Sequence, residues 1–204
     1  MNMAIQNFMM ELSSGSPVPG GGGVSALIGA VGVSLCSMVA NLTSGKKKYA
    51  QFQEDIDAIL PRTQDSISRL LELIRKDAEV FEPLSAAYGI PKDVPERDEI
   101  LEEVLVTACS VPMEILQEVY CVIDIIEQLS HKGSKLAVSD VGVAASACRS
   151  AMEGASMNVY INTKLMKNRE YALEMNERAM SMLKDGVERC DKVYQRISEE
   201  LRCR

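Results

Sequence analysis

Hydrophobic residues along this chain recur mostly at intervals of three and four positions. Between residues 46 and 88 the apolar positions include Phe52, Ile56, Ile59, Leu60, Ile67, Leu70, Leu71 and Ile74. This spacing places them on one face of a helix, and no segment shows the strict alternation of a half-buried strand. The pattern predicts an all-α fold, a bundle of five to six long helices running up and down, in a single domain over residues 1–204.

Interruptions of the pattern give the expected helix boundaries. We expect a short amphipathic helix over residues 2–13, followed by longer helices over about 22–43, 46–88, 96–131, 139–167 and 170–201. Gly45 should end the second helix, and Pro61 and Pro112 should kink the helices that contain them. Residues 24–42 are almost long and apolar enough to span a membrane, but their serines and Asn41 favour a core helix.

Composition narrows the classes of protein that fit. Hydrophobic residues make up 47%, aromatics only 4%, and the net charge of −7 gives no indication of a nucleic-acid or membrane partner. The six cysteines include no CxxC pair, so we expect free thiols and a cytoplasmic location. His131 is the single histidine, which makes a zinc site or a conventional histidine-based triad unexpected and favours a helix-capping role. We expect neither a metal nor a cofactor.

A run of glycines, Gly20 to Gly23, follows Pro19 and precedes the second predicted helix. No strand comes before it and no GKS or GKT follows, which excludes the nucleotide-binding loops that use spaced glycines. Two interpretations stay open. The free N–H groups of a helix start could bind an anion or the edge of a polar ring, or the turn could simply let helices pack closely.

Two charged segments are further candidates. Lys46, Lys47 and Lys48 form a basic cluster on an acidic protein, at a helix start where cations are electrostatically unfavourable. They are either solvated charges or a site for a carboxylate or phosphate. Asp77, in "RKDAEVF", is either a surface acid beside its bases or a buried general acid or base.

The helix over about 139–167 carries the last candidates. Asp140 and Asn158 share one face but lie about 27 Å apart along the axis, so they cannot both contact one reacting atom within one subunit. Asn158 and Asn162 form a pair of amides four residues apart on an apolar helix, and buried amides need partners. Asp140 is either a helix cap or a binding residue, and Asn158 either bonds between helices or binds substrate.

Small residues on two of the predicted helices would let another backbone approach closely. These residues are Gly29, Gly32, Gly142, Ala145 and Gly154. From them we predict a homodimer that forms through these faces.

Several stretches, in order along nearly the whole chain, resemble a known family. They are "SPVPGGGGVSALIGAVGVSLCSMVANLTSGKKKY", "DAEVF", "SVP" and "SDVGVAA" with "MNVYIN". They are similar to the cyclodeaminase/cyclohydrolase family, which includes the C-terminal domain of formiminotransferase-cyclodeaminase and stand-alone bacterial methenyltetrahydrofolate cyclohydrolases. The resemblance implies an all-α dimer, a folate substrate that carries a one-carbon unit, and an active-site aspartate at Asp77.

The resemblance also assigns the remaining motifs. The PGGG element falls on Pro19, Gly20, Gly21 and Gly22, where a flat ring could approach the backbone. The family's basic pair falls on Lys46 and Lys47, followed here by Lys48, and would meet the carboxylates of the folate tail. Lysine lacks the bidentate fork of arginine, which changes how an anion is held there.

The expected reaction is hydrolysis of 5,10-methenyltetrahydrofolate to 10-formyltetrahydrofolate, with Asp77 as the base. The alternative is a formiminotetrahydrofolate cyclodeaminase that releases ammonia, and the cyclohydrolase is preferred because no formiminotransferase domain precedes the motifs. An alternative of another class is a non-catalytic helical dimerisation protein. A pocket that joins the glycine turn, the lysines and Asp77 would favour an enzyme.

Overall fold

The computed structural model describes residues 5–203, and within that range every regular element is a helix. The seven α-helices are α1 (Ile5–Leu12), α2 (Gly21–Thr43), α3 (Gln53–Tyr88), α4 (Arg97–Tyr120), α5 (Ile123–Lys132), α6 (Val138–Leu165) and α7 (Arg169–Arg202). Short 3₁₀ helices, Lys47–Phe52 and Lys135–Ala137, precede α3 and α6. The all-α prediction is confirmed, although residues 2–4 of the first predicted helix lie outside the described residues.

Helix α2 lies at the centre of the bundle, antiparallel to α3 and α6. Near its start, Gly23 donates a hydrogen bond to Asp77 of α3, and Gly21 lies against Asn158 of α6. Near its end, Ser37 accepts a hydrogen bond from Gln64, much earlier in α3. Helix α4 packs against α3 and α6, and α7 packs against α6 and α4; each runs antiparallel to its sequence neighbour, α3 or α6.

Among the described helices, α2 is the one that is long and apolar enough to cross a membrane. In the structure most of its apolar side chains are enclosed by the neighbouring helices, while Val31, Met38 and Leu42 are exposed. The fully buried ones include Ala26, Val33, Cys36, Val39 and Ala40. Most of the residues that make this helix hydrophobic therefore form the core of the bundle, as the interpretation of residues 24–42 expected.

The small residues predicted to form the dimer contact are used within one chain instead. A Cβ on Gly29 would lie 2.8 Å from Val119 Cγ2 of α4, and one on Gly32 would lie 2.7 Å from Cys148 Sγ of α6. A Cβ on Gly154 would collide with Ser25 Oγ. These faces bring α2, α4 and α6 together inside the subunit, and the prediction that they form the dimer contact is corrected.

The predicted helix over residues 96–131 is also corrected, because it consists of two helices. Helix α4 continues past Pro112 and ends at Tyr120, and α5 begins at Ile123. Arg62 of α3 donates to the carbonyl of Cys121, at 3.3 Å, and forms a two-pronged ion pair with Asp124. The Arg62 guanidinium therefore supplies a hydrogen-bond donor to a backbone oxygen at the break between α4 and α5. Helix α3 likewise continues past Pro61.

The cysteines within the described residues form no disulfide. Cys36, Cys109, Cys148 and Cys190 are buried, and burial raises the pKa of the Cys36 thiol to about 12. His131 lies in the last turn of α5, with its Nδ1 3.2 Å from the guanidinium of Arg196.

Candidate active site

A cavity of about 130 Å³ lies at the start of α2, where α3, α4 and α6 converge. It is lined by Pro17, Val18, Gly20, Gly21, Gly22, Asp77, Val80, Phe81, Leu84, Ala108, Pro112, Asn158, Ile161 and Asn162. The glycine turn, the aspartate and the asparagine that the sequence singled out separately therefore meet in one place.

Asp77 is attached to the glycine turn through its carboxylate. The Gly23 N–H donates to Oδ2 of Asp77 at 2.8 Å. A Cβ at position 22 would collide with Oδ1 of the same carboxylate, so Gly22 is required for this close approach. The glycine run thus provides both a backbone donor and the space that the carboxylate occupies.

Burial determines the protonation behaviour of Asp77. Removal from water raises the pKa of this carboxyl above its ordinary value, and the hydrogen bond from the Gly23 N–H opposes that shift only in part. A carboxylate that is partly desolvated and within a cavity can take up and release a proton closer to neutral pH than an exposed one. Asp77 is therefore a partly buried carboxylate that lines the cavity rather than a surface acid.

Further donors come from the first turn of α2. The N–H groups of Gly21 and Gly22 have no acceptor among the described residues, as expected at a helix start. The dipole of a 23-residue helix adds partial positive charge at this end. The cavity therefore offers backbone donors beside a carboxylate, an arrangement suited to a heterocycle that carries both donor and acceptor groups.

Two amides from α6 complete the wall. Asn158 donates through Nδ2 to the carbonyl of Gly154 at 2.9 Å and lies against Gly21. Asn162, one turn later, donates to the carbonyls of Ala108 and Asn158. Asn162 was not selected as a site residue, although its spacing from Asn158 was the signal that could have identified it.

Apolar residues of the cavity were also missed. Val80 and Phe81 follow Asp77 by three and four residues on α3, and Ile161 follows Asn158 by three on α6. Helical periodicity places each of them on the face of its polar neighbour, which is the signal the sequence carried. Pro19 does not itself line the cavity, while Pro17 and Val18 of the same turn do.

The other predicted site residues lie elsewhere in this chain. Lys46, Lys47 and Lys48 are exposed beyond the far end of α2, about 35 Å from the glycine turn along the helix. Asp140 lies in the first turn of α6, at that same end of the bundle, because α6 runs antiparallel to α2. Within one chain, the expected pocket joins the glycine turn with Asp77 and Asn158 but not with the lysines.

A larger concave surface on the described residues lacks comparable chemistry. An open groove of about 1000 Å³ follows α7, lined by side chains of that helix together with Glu153. It contains neither a helix start nor a buried carboxylate. Across residues 5–203, no three His, Cys, Asp or Glu side chains come together in a way that could hold a metal ion.

Comparisons with known proteins agree with the motif resemblance. Residues 4–181 match the family model described as formiminotransferase-cyclodeaminase. A methenyltetrahydrofolate cyclohydrolase from Methylorubrum extorquens is 34% identical over 204 residues, with 98% of each chain covered. The formimidoyltransferase-cyclodeaminase of Mus musculus is 30% identical over 190 residues, which are 91% of this chain and 35% of that protein.

A solved structure extends the likeness to the fold. The crystal structure of a formiminotetrahydrofolate cyclodeaminase from Thermotoga maritima matches with a TM-score of 0.85 at 28% sequence identity. The match covers 97% of this chain and 98% of that one. Motifs, site geometry and comparisons agree, and the chain belongs to the formiminotransferase-cyclodeaminase family.

Proposed function

We propose that this protein is a methenyltetrahydrofolate cyclohydrolase, which converts 5,10-methenyltetrahydrofolate and water to 10-formyltetrahydrofolate. The observation that carries the proposal is the Asp77 carboxylate, which is held by the Gly23 N–H through one oxygen and lines the cavity at the start of α2. The full-length likeness to a cyclohydrolase supports this reaction over others in the family.

The reaction suits a carboxylate at this position. The methenyl carbon lies between N5 and N10 in an amidinium-like cation, and a carboxylate beside it stabilises that charge. As water attacks the carbon, a C–O bond forms and Asp77 takes one of the water's protons, which leaves a neutral carbinol. The protonated Asp77 then returns the proton to N5 as the C–N5 bond breaks. The hydroxyl proton is released, and the formyl group remains on N10.

The cavity accounts for part of the substrate only. At about 130 Å³ it is smaller than the roughly 300–1,000 Å³ of ordinary small-molecule pockets. It accommodates the ring edge around the reacting carbon, with the Gly21 and Gly22 N–H groups as donors. The rest of the folate then extends onto the neighbouring surface.

A second copy of the chain would supply that surface. Helices α2 and α6 expose a row of apolar side chains on their outer faces. These include Val31, Met38 and Leu42 on α2, and Val143, Met157 and Ile161 on α6. An exposed apolar face of this kind is typical of a protein interface. The proposed homodimer forms here, through exposed residues, rather than through the buried small residues.

Two-fold symmetry across this face would bring the partner's lysines close to the cavity at the start of α2. A two-fold axis near the middle of α2 reverses the partner's helix, so that its far end lies beside the first turn of this one. Lys46, Lys47 and Asp140 of the partner would then approach the cavity. In this arrangement the partner's lysines bind the carboxylates of the folate tail. The free thiols agree with a cytoplasmic enzyme.

The dimer is tested by changing its proposed face. We expect wild-type protein to be a dimer by light scattering, and Val31→Lys to be monomeric because it buries a charge in the interface. Leu173→Lys on α7 is the matched control, since Leu173 is comparably exposed but lies on another face. A wild-type monomer, or a dimeric Val31→Lys variant, would refute this interface.

The family alternative is tested by offering both substrates. Hydrolysis is followed by the loss of methenyltetrahydrofolate absorbance, and cyclodeamination by the ammonia released from formiminotetrahydrofolate. We expect faster turnover of the methenyl compound. Faster turnover of the formimino compound would identify a cyclodeaminase, and turnover of neither would leave a non-catalytic helical protein.

A further inference from the structure

The wall of the cavity contains a backbone carbonyl that its own helix cannot satisfy. In a regular helix the carbonyl of Ala108 would accept the N–H of residue 112, but Pro112 has no N–H. Asn162 of α6 donates to this carbonyl instead, through Nδ2 at 3.2 Å. Asn162 thus supplies the hydrogen bond that Pro112, 50 residues earlier in the sequence, cannot supply, and this bond connects α4 and α6.

The other amide hydrogen of Asn162 is also occupied. Nδ2 donates to the carbonyl of Asn158 at 3.0 Å. A group that faces two carbonyl oxygens has to be the amide nitrogen, so the orientation of the side chain is fixed. Its oxygen, Oδ1, accepts no hydrogen bond from the described residues. The residue is only 9% exposed, and it lines the cavity that contains Asp77.

We propose that Asn162 is a further catalytic residue, whose Oδ1 binds the attacking water together with Asp77. The proposal rests on the proposed hydrolysis. Water attacks the cationic carbon through a lone pair, so both of its protons must point away from that carbon. Asp77 accepts the proton that is transferred, and Asn162 accepts a hydrogen bond from the one that stays on oxygen. The fixed amide aligns the water before the reaction.

The first test replaces the amide oxygen. Asn162→Leu keeps a similar volume but cannot accept a hydrogen bond, and we expect kcat to fall by about 10²-fold with KM little changed. The circular dichroism spectrum and the melting temperature show whether the variant folds. Wild-type kcat in a folded Asn162→Leu variant would overturn the proposal.

The second test uses pH. In Asn162→Asp, a protonated carboxyl can donate to one carbonyl and present its other oxygen to the water. The ionised form would face the carbonyl oxygens of Ala108 and Asn158, so it should be strongly disfavoured. Asp77 is the one titratable group among the described residues that line the cavity, and its negative charge acts in the same direction.

We therefore expect Asn162→Asp to be active while Asp77 is ionised and the new carboxyl is still protonated, and to lose kcat as the pH rises further, with a falling limb that the wild type lacks. Asn176→Asp is the control. Asn176, on α7, accepts a hydrogen bond from Thr163 Oγ1 near the same turn of α6 and outside the cavity, so it introduces the same charge nearby. It should keep the wild-type profile.

A wild-type profile in Asn162→Asp would overturn the role of Asn162, even if Asn162→Leu does not fold. This failure is distinct from failure of the proposed function. If the wild type itself does not hydrolyse methenyltetrahydrofolate, both the proposed reaction and the role of Asn162 in it are refuted. If the wild type hydrolyses this compound and the Asn162 variants have the wild-type kcat and pH profile, only the role of Asn162 is refuted.

Discussion

The chemistry of Asp77 depends on one contact between residues that are 54 positions apart. The Gly23 N–H bonds one carboxylate oxygen, and burial among α2, α3 and α6 raises the pKa of the group. From the sequence, Asp77 was also consistent with a surface acid, because burial arises only when α2 packs on α3. The glycine run likewise allowed either a binding turn or a packing turn, and the structure shows that Gly22 serves close approach while its N–H group remains available.

The raised pKa of Asp77 predicts an effect on stability. A carboxyl whose pKa is higher in the folded state contributes stability that is present at acid pH and is lost as the pH rises through the folded-state value. Asn at this position can still accept the Gly23 hydrogen bond but carries no charge. We expect Asp77→Asn to melt at the same temperature as wild type at acid pH and at a higher temperature near pH 7. Thermal unfolding monitored by circular dichroism measures this difference.

Asp65→Asn, an exposed position on the same helix, is the control and should show no such increase. A lower melting temperature for Asp77→Asn near pH 7 would mean that the ionised carboxylate stabilises the fold, contrary to the direction of its pKa shift.

At the scale of helices, the three- and four-residue spacing was sufficient to predict which segments are helical. The boundary between α4 and α5 was not predictable, because the break is stabilised by Arg62, a residue of another helix. The small residues were correctly identified as sites of close approach, but periodicity cannot show whether the neighbouring helix belongs to the same chain.

The packing around Gly29 of α2 and Gly142 of α6 predicts contrasting effects on stability when each glycine is replaced by alanine. At Gly29 a Cβ would lie 2.8 Å from Val119, a buried β-branched side chain with little freedom to move. We expect Gly29→Ala to lower the free energy of unfolding by about 1–3 kcal/mol through overpacking. At Gly142 a Cβ would make an ordinary contact with Ile197 at 3.5 Å.

Gly142→Ala should therefore be neutral or gain up to about 1 kcal/mol from helix propensity. Urea unfolding of both variants measures the contrast. Equal effects at the two positions would contradict the packing described for α2 and α4.

At the scale of the whole molecule, the sequence motifs gave the family but not their arrangement in space. The glycine turn and the lysines lie at opposite ends of one 23-residue helix. The motifs alone do not indicate that these two groups are too far apart to share a site within one chain. The proposed dimer reunites them, with the partner's lysines beside the cavity. The net charge of −7 makes a local basic cluster useful for an anionic substrate.

This arrangement predicts how the lysines affect kinetics. Exposed charge pairs contribute about 0–1 kcal/mol each, so a double substitution is needed for a clear effect. We expect Lys46→Ala with Lys47→Ala to raise KM more for a polyglutamylated folate than for a monoglutamate, with kcat little changed. Added salt should weaken the wild type's preference in the same way. An equal shift for both tail lengths would show that the lysines do not bind the tail.

The central claim is that Asp77 of α3, beside the glycine-rich first turn of α2, is the general base in the hydrolysis of methenyltetrahydrofolate. The most direct test compares the steady-state turnover of this compound by wild type and by Asp77→Asn, under conditions in which both have the same helical spectrum. Loss of a general base costs about 10²–10⁴-fold, and we expect a decrease in kcat of that size. Turnover by Asp77→Asn at the wild-type rate would contradict the account.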